Sequence, residues 1–161
     1  MPTATEVVTQ GDRAIRITRD FDAPVALVWD AFTKPELLQR WMGVFGDWEW
    51  ESCETDLREG GSWRYAWRQR DGEGRLVLFG EYREVVHHQR IVMTQRYEME
   101  GLPDFGEMLV TTTFSESGGR TVLDEVVEYE TAEARDIDLQ NMPQGLEPGF
   151  AMLDDVLASM G

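Results

Sequence analysis

The chain has 161 residues, 42% hydrophobic and 29% charged, and its 15 Lys and Arg against 31 Asp and Glu give a formal net charge of −16. A surface this negative repels phosphate backbones and anionic head groups, which argues against nucleic-acid and membrane partners, and no stretch approaches the ~20 apolar residues of a spanning helix. Cys53, the only cysteine, excludes an intramolecular disulfide and a thiolate metal cluster and fits a reducing compartment, so a cytoplasmic location is expected.

A chain of this length can bury roughly 68 to 70% of its unfolded surface, so one domain over residues 1–161 is expected, with 1–13 as a flexible N-terminal segment. The first periodic signal is alternation at Ile15, Ile17 and Phe21, which predicts a half-buried strand. Ala23-Pro24 then opens a short helix carrying Val25, Val28, Trp29 and Phe32 at helical spacing. Thr33-Lys34-Pro35-Glu36 matches a capping box ahead of a second short helix with Leu37, Leu38 and Trp41. From Trp48 to Tyr129 the period is two, and turn residues divide it into six predicted strands over 48–57, 62–70, 76–86, 90–98, 107–115 and 120–129. The turns are Gly60-Gly61, Asp71 to Gly74, His87-His88-Gln89, Gly101 to Asp104 and Gly118-Gly119. Thr131 is placed to cap a short helical segment through Asp136. A final helix presents Met142, Leu146, Phe150, Leu153, Leu157 and Met160, with a kink or a start at Pro148. The order β, α, α, six β, α predicts an α+β protein in which a seven-stranded antiparallel sheet buries one face under a long helix.

The glycine pairs fall between strands, in hairpin positions, and offer no phosphate loop. His87 and His88 are sequence neighbours at a strand end and point opposite ways, so no metal site is expected there. Cys53, without a nearby histidine, reads as a small buried hydrophobe. Glu49, Glu51, Glu125, Glu128, Asp154 and Asp155 fit solvent faces. Glu54, Asp56, Glu81, Glu84 and Glu125 lie on strands of mixed polarity, where one inward carboxyl would have a raised pKa. The chain holds six Trp, seven Phe, four Tyr and eight Met. Trp48 with Trp50, and Trp63, Tyr65 and Trp67, alternate so that each set lines one strand face, leaving Arg64 and Arg68 on the outer one. Such a face is either plain core or the wall of a small-molecule pocket.

The run Arg19-Asp20-Phe21-Asp22-Ala23-Pro24, followed by Val28-Trp29, Ala31-Phe32-Thr33, Pro35-Glu36 and Trp41, resembles the opening of the heat-shock-protein-90 ATPase activator-like family, within the START-like (SRPBCC) superfamily. The likeness continues through Asp56 to Trp63, Gly80 to Val85, Arg90-Ile91-Val92, Gly119 to Leu123 and Gly149-Phe150 with Leu153 and Leu157. This chain has Phe150 where the family usually has Trp, Met42 where a second aromatic is common, and His87-His88-Gln89 in place of a proline-containing turn. The resemblance implies a helix-grip fold, a curved sheet around the C-terminal helix with two short helices closing one end and a hydrophobic cavity between. It implies no single function, because members bind lipids and hormones, cyclise polyketides or modulate a chaperone.

The expected function is binding of a small hydrophobic or aromatic molecule between sheet and C-terminal helix, with Trp41, Trp50, Trp63, Tyr65, Trp67, Met93, Met108 and Phe150 lining the cavity. A cyclase, dehydratase or hydrolase using the same cavity, with catalytic residues unassigned, and a protein-interaction domain are the alternatives. No cofactor is expected. The chaperone activators of eukaryotes carry a further domain that is not seen here, which argues against a chaperone partner, and self-association into a homodimer stays open.

Overall fold

The computed structural model of the chain describes residues 5–42, 47–101 and 105–160, with the backbone alone described for 141–145. The elements are β1 (Glu6–Gln10), β2 (Ala14–Phe21), α1 (Val25–Thr33), α2 (Pro35–Trp41), β3 (Trp48–Thr55), β4 (Ser62–Gln69), β5 (Arg75–Val86), β6 (Arg90–Met99), β7 (Met108–Ser117), β8 (Arg120–Glu128) and α3 (Ala132–Met160). The strands make one sheet in the order β1-β2-β8-β7-β6-β5-β4-β3, antiparallel at every pairing. This is the helix-grip arrangement with eight strands rather than seven.

The extra strand is β1, in the stretch expected to be a flexible segment. Only Val7 of its five residues is even partly buried, so it carries no alternating signal. It is held instead by its ladder to β2, from Glu6 opposite Thr18 to Gln10 opposite Ala14. Strands β3 to β8 fall within two residues of their predicted ends, because the period of two is explicit in their side chains.

Helix α1 follows Pro24, whose φ of −67° suits a helix entry, and buries Val28, Trp29 and Ala31. The predicted capping box does not form. Lys34 occupies the N-cap of α2 with no side-chain cap bond, and the buried Thr33 hydroxyl donates instead to the Trp29 carbonyl at 2.8 Å. Thr33 is the last residue of α1, where its hydroxyl finds the carbonyl four residues back. Thr131 does cap α3, its Oγ1 accepting from the Ala134 N–H at 3.0 Å. Helix α3 then runs unbroken for 29 residues, replacing the expected short segment and separate final helix, and it neither ends nor starts at Pro148. Proline removes one backbone donor and crowds the preceding turn. The burial of Phe150, Leu153, Val156 and Leu157 holds the helical run across that position. Of the predicted apolar face, Leu146 and Met160 are half-buried, and the Met142 side chain lies outside the described residues.

Gly60, at φ +82°, and Gly61 sit in the turn between β3 and β4. A Cβ on Gly61 would lie 2.0 Å from the Asp56 carbonyl oxygen, so the turn closes only with glycine there. The turn is tied to β5, the Tyr82 N–H donating to the Gly61 carbonyl at 2.8 Å. In the expected turn from Gly101 to Asp104, residues 102–104 lie outside those described.

Paired residues in register point to the same side of a sheet, so the inner face can be traced across the strands. One row runs Ile17, Glu125, Thr112, Ile91 and another Trp67, Leu76, Met99. Irregular register between Trp50 and Ser52 shifts the parity of β3, so Trp50 and Cys53 both face inward, opposite Trp67 and Tyr65. The inner face and the helices share one core that contains Ile15, Ile17, Phe21, Trp29, Leu38, Leu123, Phe150 and Leu153. The closest backbone packing of α3 is against α2, α1 and β2, at one side of the sheet.

Candidate ligand-binding site

Six of the eight expected site residues stand on strands of the inner face, and the other two stand on helices. Trp50, Trp63, Tyr65 and Trp67 form a continuous aromatic wall on β3 and β4. The ring centroids are 4.4 Å apart for Trp50 and Trp67, 5.6 Å for Trp50 and Tyr65, and 4.7 Å for Trp63 and Tyr65. Met93 continues the face on β6, opposite Tyr82 and Val110, and Met108 lies opposite Gln95. Trp41 and Phe150 form a second group. Trp41 meets Phe32 edge-on at 4.9 Å and approaches Phe150 at 6.2 Å, and Phe150 meets Phe21 edge-on at 5.5 Å. That group is the contact between α1, α2, α3 and β2. The helical group borders the wall at β3, where the Met42 carbonyl accepts from the Trp50 indole N–H at 2.8 Å.

Burial differs across the inner face. Met108 is fully buried, as are Ile15 and Leu123. Leu76, Leu78, Met93, Gln95 and Tyr97, on β5 and β6, keep partial exposure, as do Trp48 and Trp50.

The polar groups on the inner face carry little signal in the sequence. Arg19 is buried, its guanidinium forked onto Asp154 of α3 and lying 4.8 Å from the centre of the Phe21 ring. Asp154, expected on a solvent face, thus serves as the counter-charge to an inward arginine. Glu125, which also fits a solvent face by spacing, is the one of the five candidate inward carboxylates that faces in. It accepts from the Thr112 hydroxyl at 3.2 Å, and burial pushes its pKa above the ordinary carboxylate range. Asp138 of α3, which no pattern singles out, is buried and hydrogen-bonded by the Tyr129 hydroxyl, and its pKa is likewise raised by burial. Tyr97 feels both carboxyls and is held protonated, chiefly by burial. Tyr65 and Tyr82 share a side-chain hydrogen bond and are also shifted upward by burial, Tyr82 to about 12.

The other candidates face away from the helix. Glu54 is paired across the ladder with Arg64 on the outer face, Asp56 meets Arg58 at 2.9 Å, and Glu84 meets Arg90 at 3.0 Å. Glu81 is exposed. Arg64 and Arg68 are on the outer face as expected, donating to Ser52 and Glu49. A shallow depression of about 550 Å³ opens there, lined by Arg64, Phe79, Arg83, Arg96 and Glu107 among others, and Glu107 stands 3.9 Å from both Arg83 and Arg96. His87 and His88 stack on each other at 3.7 Å in a turn beside Trp29. Among the described residues no helix is long and apolar enough to cross a membrane, and no group of three or more His, Cys, Asp or Glu is placed to hold a metal ion.

A sheet that grips one long helix, with two short helices at one end of the chain's first hairpin, defines a START-like protein, a fold that is generally a ligand-binding scaffold. The chain belongs to the activator of Hsp90 ATPase homolog 1-like family, whose model matches residues 22–158. A crystal structure of a protein from Rhodobacter sphaeroides is similar at 27% identity and a TM-score of 0.87, over 97% of this chain and 99% of that one. A protein from Mycobacterium smegmatis is similar at 25% identity and a TM-score of 0.81, over 97% of both chains. One from Nitrosomonas europaea, at 22% identity and a TM-score of 0.79 over 96% of this chain and 99% of that one, shares the fold. No functionally curated protein matches the chain.

Proposed function

We propose that the protein binds a small, hydrophobic or aromatic, uncharged or cationic molecule between the β3–β6 half of the inner face and α3. The observation that carries this reading is the half-burial of Leu76, Leu78 and Met93. These apolar side chains stand on interior strands, on the face that turns toward the helix, and yet they keep accessible surface. Filled core would cover them as it covers Ile15 and Leu123. The helix packs its backbone on β2 and the short helices, and the opposite half of the sheet offers Trp, Tyr, Leu and Met walls of the kind that line small-molecule sites. The buried arginine does not turn the site toward anions, because Asp154 takes both of its terminal nitrogens.

A neutral dye whose emission reports an apolar surround, Nile red, tests the reading. Saturable one-to-one binding is expected, with quenching of tryptophan emission and a rise in melting temperature. The stabilisation is about 2.7 kcal/mol at a hundredfold excess over the dissociation constant. Absence of saturable binding overturns the reading.

A catalytic use of the same space is favoured by one observation, the cluster of Tyr97, Glu125, Tyr129 and Asp138, in which burial holds two carboxyls above their usual range. Such groups suit proton transfer to or from a bound molecule. Turnover of a bound compound that Glu125→Gln abolishes, with binding retained, would select this second reading.

A further inference from the structure

The tryptophans of the inner face differ in what their indole N–H groups meet. Trp41 donates to the Ala31 carbonyl at 2.9 Å, Trp50 to the Met42 carbonyl at 2.8 Å and Trp63 to the Thr94 carbonyl at 3.1 Å. Trp67 is 4% exposed, and its Nε1 is sealed from solvent with no acceptor at all. A buried donor without a partner is disfavoured in a finished core, because desolvation is not offset by a bond. The chain satisfies the same group at these three tryptophans, of which Trp50 and Trp63 belong to the same wall, so the exception is local to Trp67.

The surroundings of that nitrogen are those of the proposed site. Trp67 faces inward between Trp50 on β3 and Leu76 on β5, both half-buried. Trp50 belongs to an edge strand and its ring is only 4.4 Å from that of Trp67. Turning Trp50 on its edge strand, which gives up its 2.8 Å bond to the Met42 carbonyl, is the movement that would bring an entering ring against the Trp67 edge. Flat walls select a flat ligand, and one fixed donor between them selects an acceptor at the rim of that ligand.

Resting on the ligand-binding reading above, we infer that Trp67 Nε1–H is the polar recognition point of the site, and that the ligand is a planar aromatic molecule bearing a carbonyl or equivalent neutral acceptor. A hydrocarbon of the same shape fills the walls but leaves the donor unpaired. A site built to hydrogen-bond a ligand group discriminates against the analogue that lacks it.

The probes are 9-fluorenone and fluorene, which share a tricyclic frame and differ by one carbonyl, used with uniformly ¹⁵N-labelled full-length protein. The wild-type chain should bind fluorenone at least about tenfold more tightly than fluorene, about 1.4 kcal/mol. One indole N–H resonance should shift downfield with fluorenone and not with fluorene. Trp67→Phe should delete that resonance, leave the other five indole signals dispersed, and reduce the affinity ratio to near one. Equal affinity of wild type for both probes, or a downfield shift at a different indole, overturns the assignment of Trp67 while leaving apolar binding intact. Failure of both probes to bind overturns the assignment together with the ligand-binding reading. Through-space assignment of the six indole signals in the wild-type chain identifies the one that shifts even if the variant does not fold.

Discussion

Arg19 on the inner face of β2 and Asp154 on α3 meet through two parallel hydrogen bonds of 2.7 Å each, the fork of the guanidinium matched to both carboxylate oxygens. The arginine side chain is 4% exposed and the aspartate 39%, so one charge is sequestered and the other is partly screened. The remaining guanidinium nitrogen, Nε, is buried without a partner, which leaves Asp154 as the main compensation for a charge deep in the core.

Asp154→Ala should therefore destabilise the fold by about 1.5 to 3 kcal/mol, the range for a hydrogen bond to a charged group, below the cost of breaking a fully buried pair because water reaches the aspartate. Replacing both partners, Arg19→Met with Asp154→Leu, should recover most of that loss. Urea denaturation at constant ionic strength measures all three proteins, and an unperturbed midpoint for Asp154→Ala would show that the pair does not anchor α3.

The raised pKa of Glu125 makes a signed statement about pH. A carboxyl whose pKa is higher in the folded than in the unfolded chain takes up a proton on folding in the window between the two values. Its contribution to stability is full below the unfolded pKa, about 4.3 for Glu, and is lost as pH rises through the folded one. Glu125→Gln removes this group's titration, so the variant should lose less stability than wild type as pH rises from about 4.5 to about 7. At neutral pH it should be at least as stable. Parallel stability profiles for the two proteins would refute the inward placement of this carboxyl.

Cys53 faces the wall opposite Tyr65, and its thiol pKa is pushed up to about 11, first by burial and then by the charges of Glu36 and Glu54. Reaction with a thiol-disulfide reagent requires the thiolate. At about pH 8 the native protein should hold about two orders of magnitude less thiolate than a free cysteine of pKa about 8.5 and react correspondingly slowly. Its rate should climb as the pH approaches that of the shifted thiol. A rate at mildly alkaline pH equal to that of the urea-unfolded chain would contradict the environment described.

The legible parts of the sequence are those in which burial writes a period. Strands β2 to β8 each place apolar side chains on one face, and Trp63, Tyr65 and Trp67 announce their shared wall directly. Strand β1 is silent because an edge strand held by ladder bonds alone needs no apolar face. The continuity of α3 is hidden by Pro143 and Pro148, whose local preference is outweighed by the docking of Phe150, Leu153 and Leu157. Thr33 and Glu36 have the spacing of a capping box, but that spacing does not say that the Thr33 hydroxyl is already taken by the Trp29 carbonyl. Asp138 and Arg19 are the least visible. A lone charged residue on an amphipathic element reads as solvated until its partner, Tyr129 or Asp154, is brought alongside by the fold.

Ligand binding stands or falls on whether there is space over Met93 and its neighbours on β5 and β6, and Met93→Trp probes that space itself. If the space is there, the larger ring occupies it and competes with the ligand. Extra atoms forced into a filled core instead cost about 1 to 3 kcal/mol. The measurement is the dissociation constant of Nile red for the variant against wild type, on protein shown by its cooperative unfolding to be folded. Affinity weakened at least about tenfold is expected, and a dissociation constant equal to that of wild type would contradict the placement of the site.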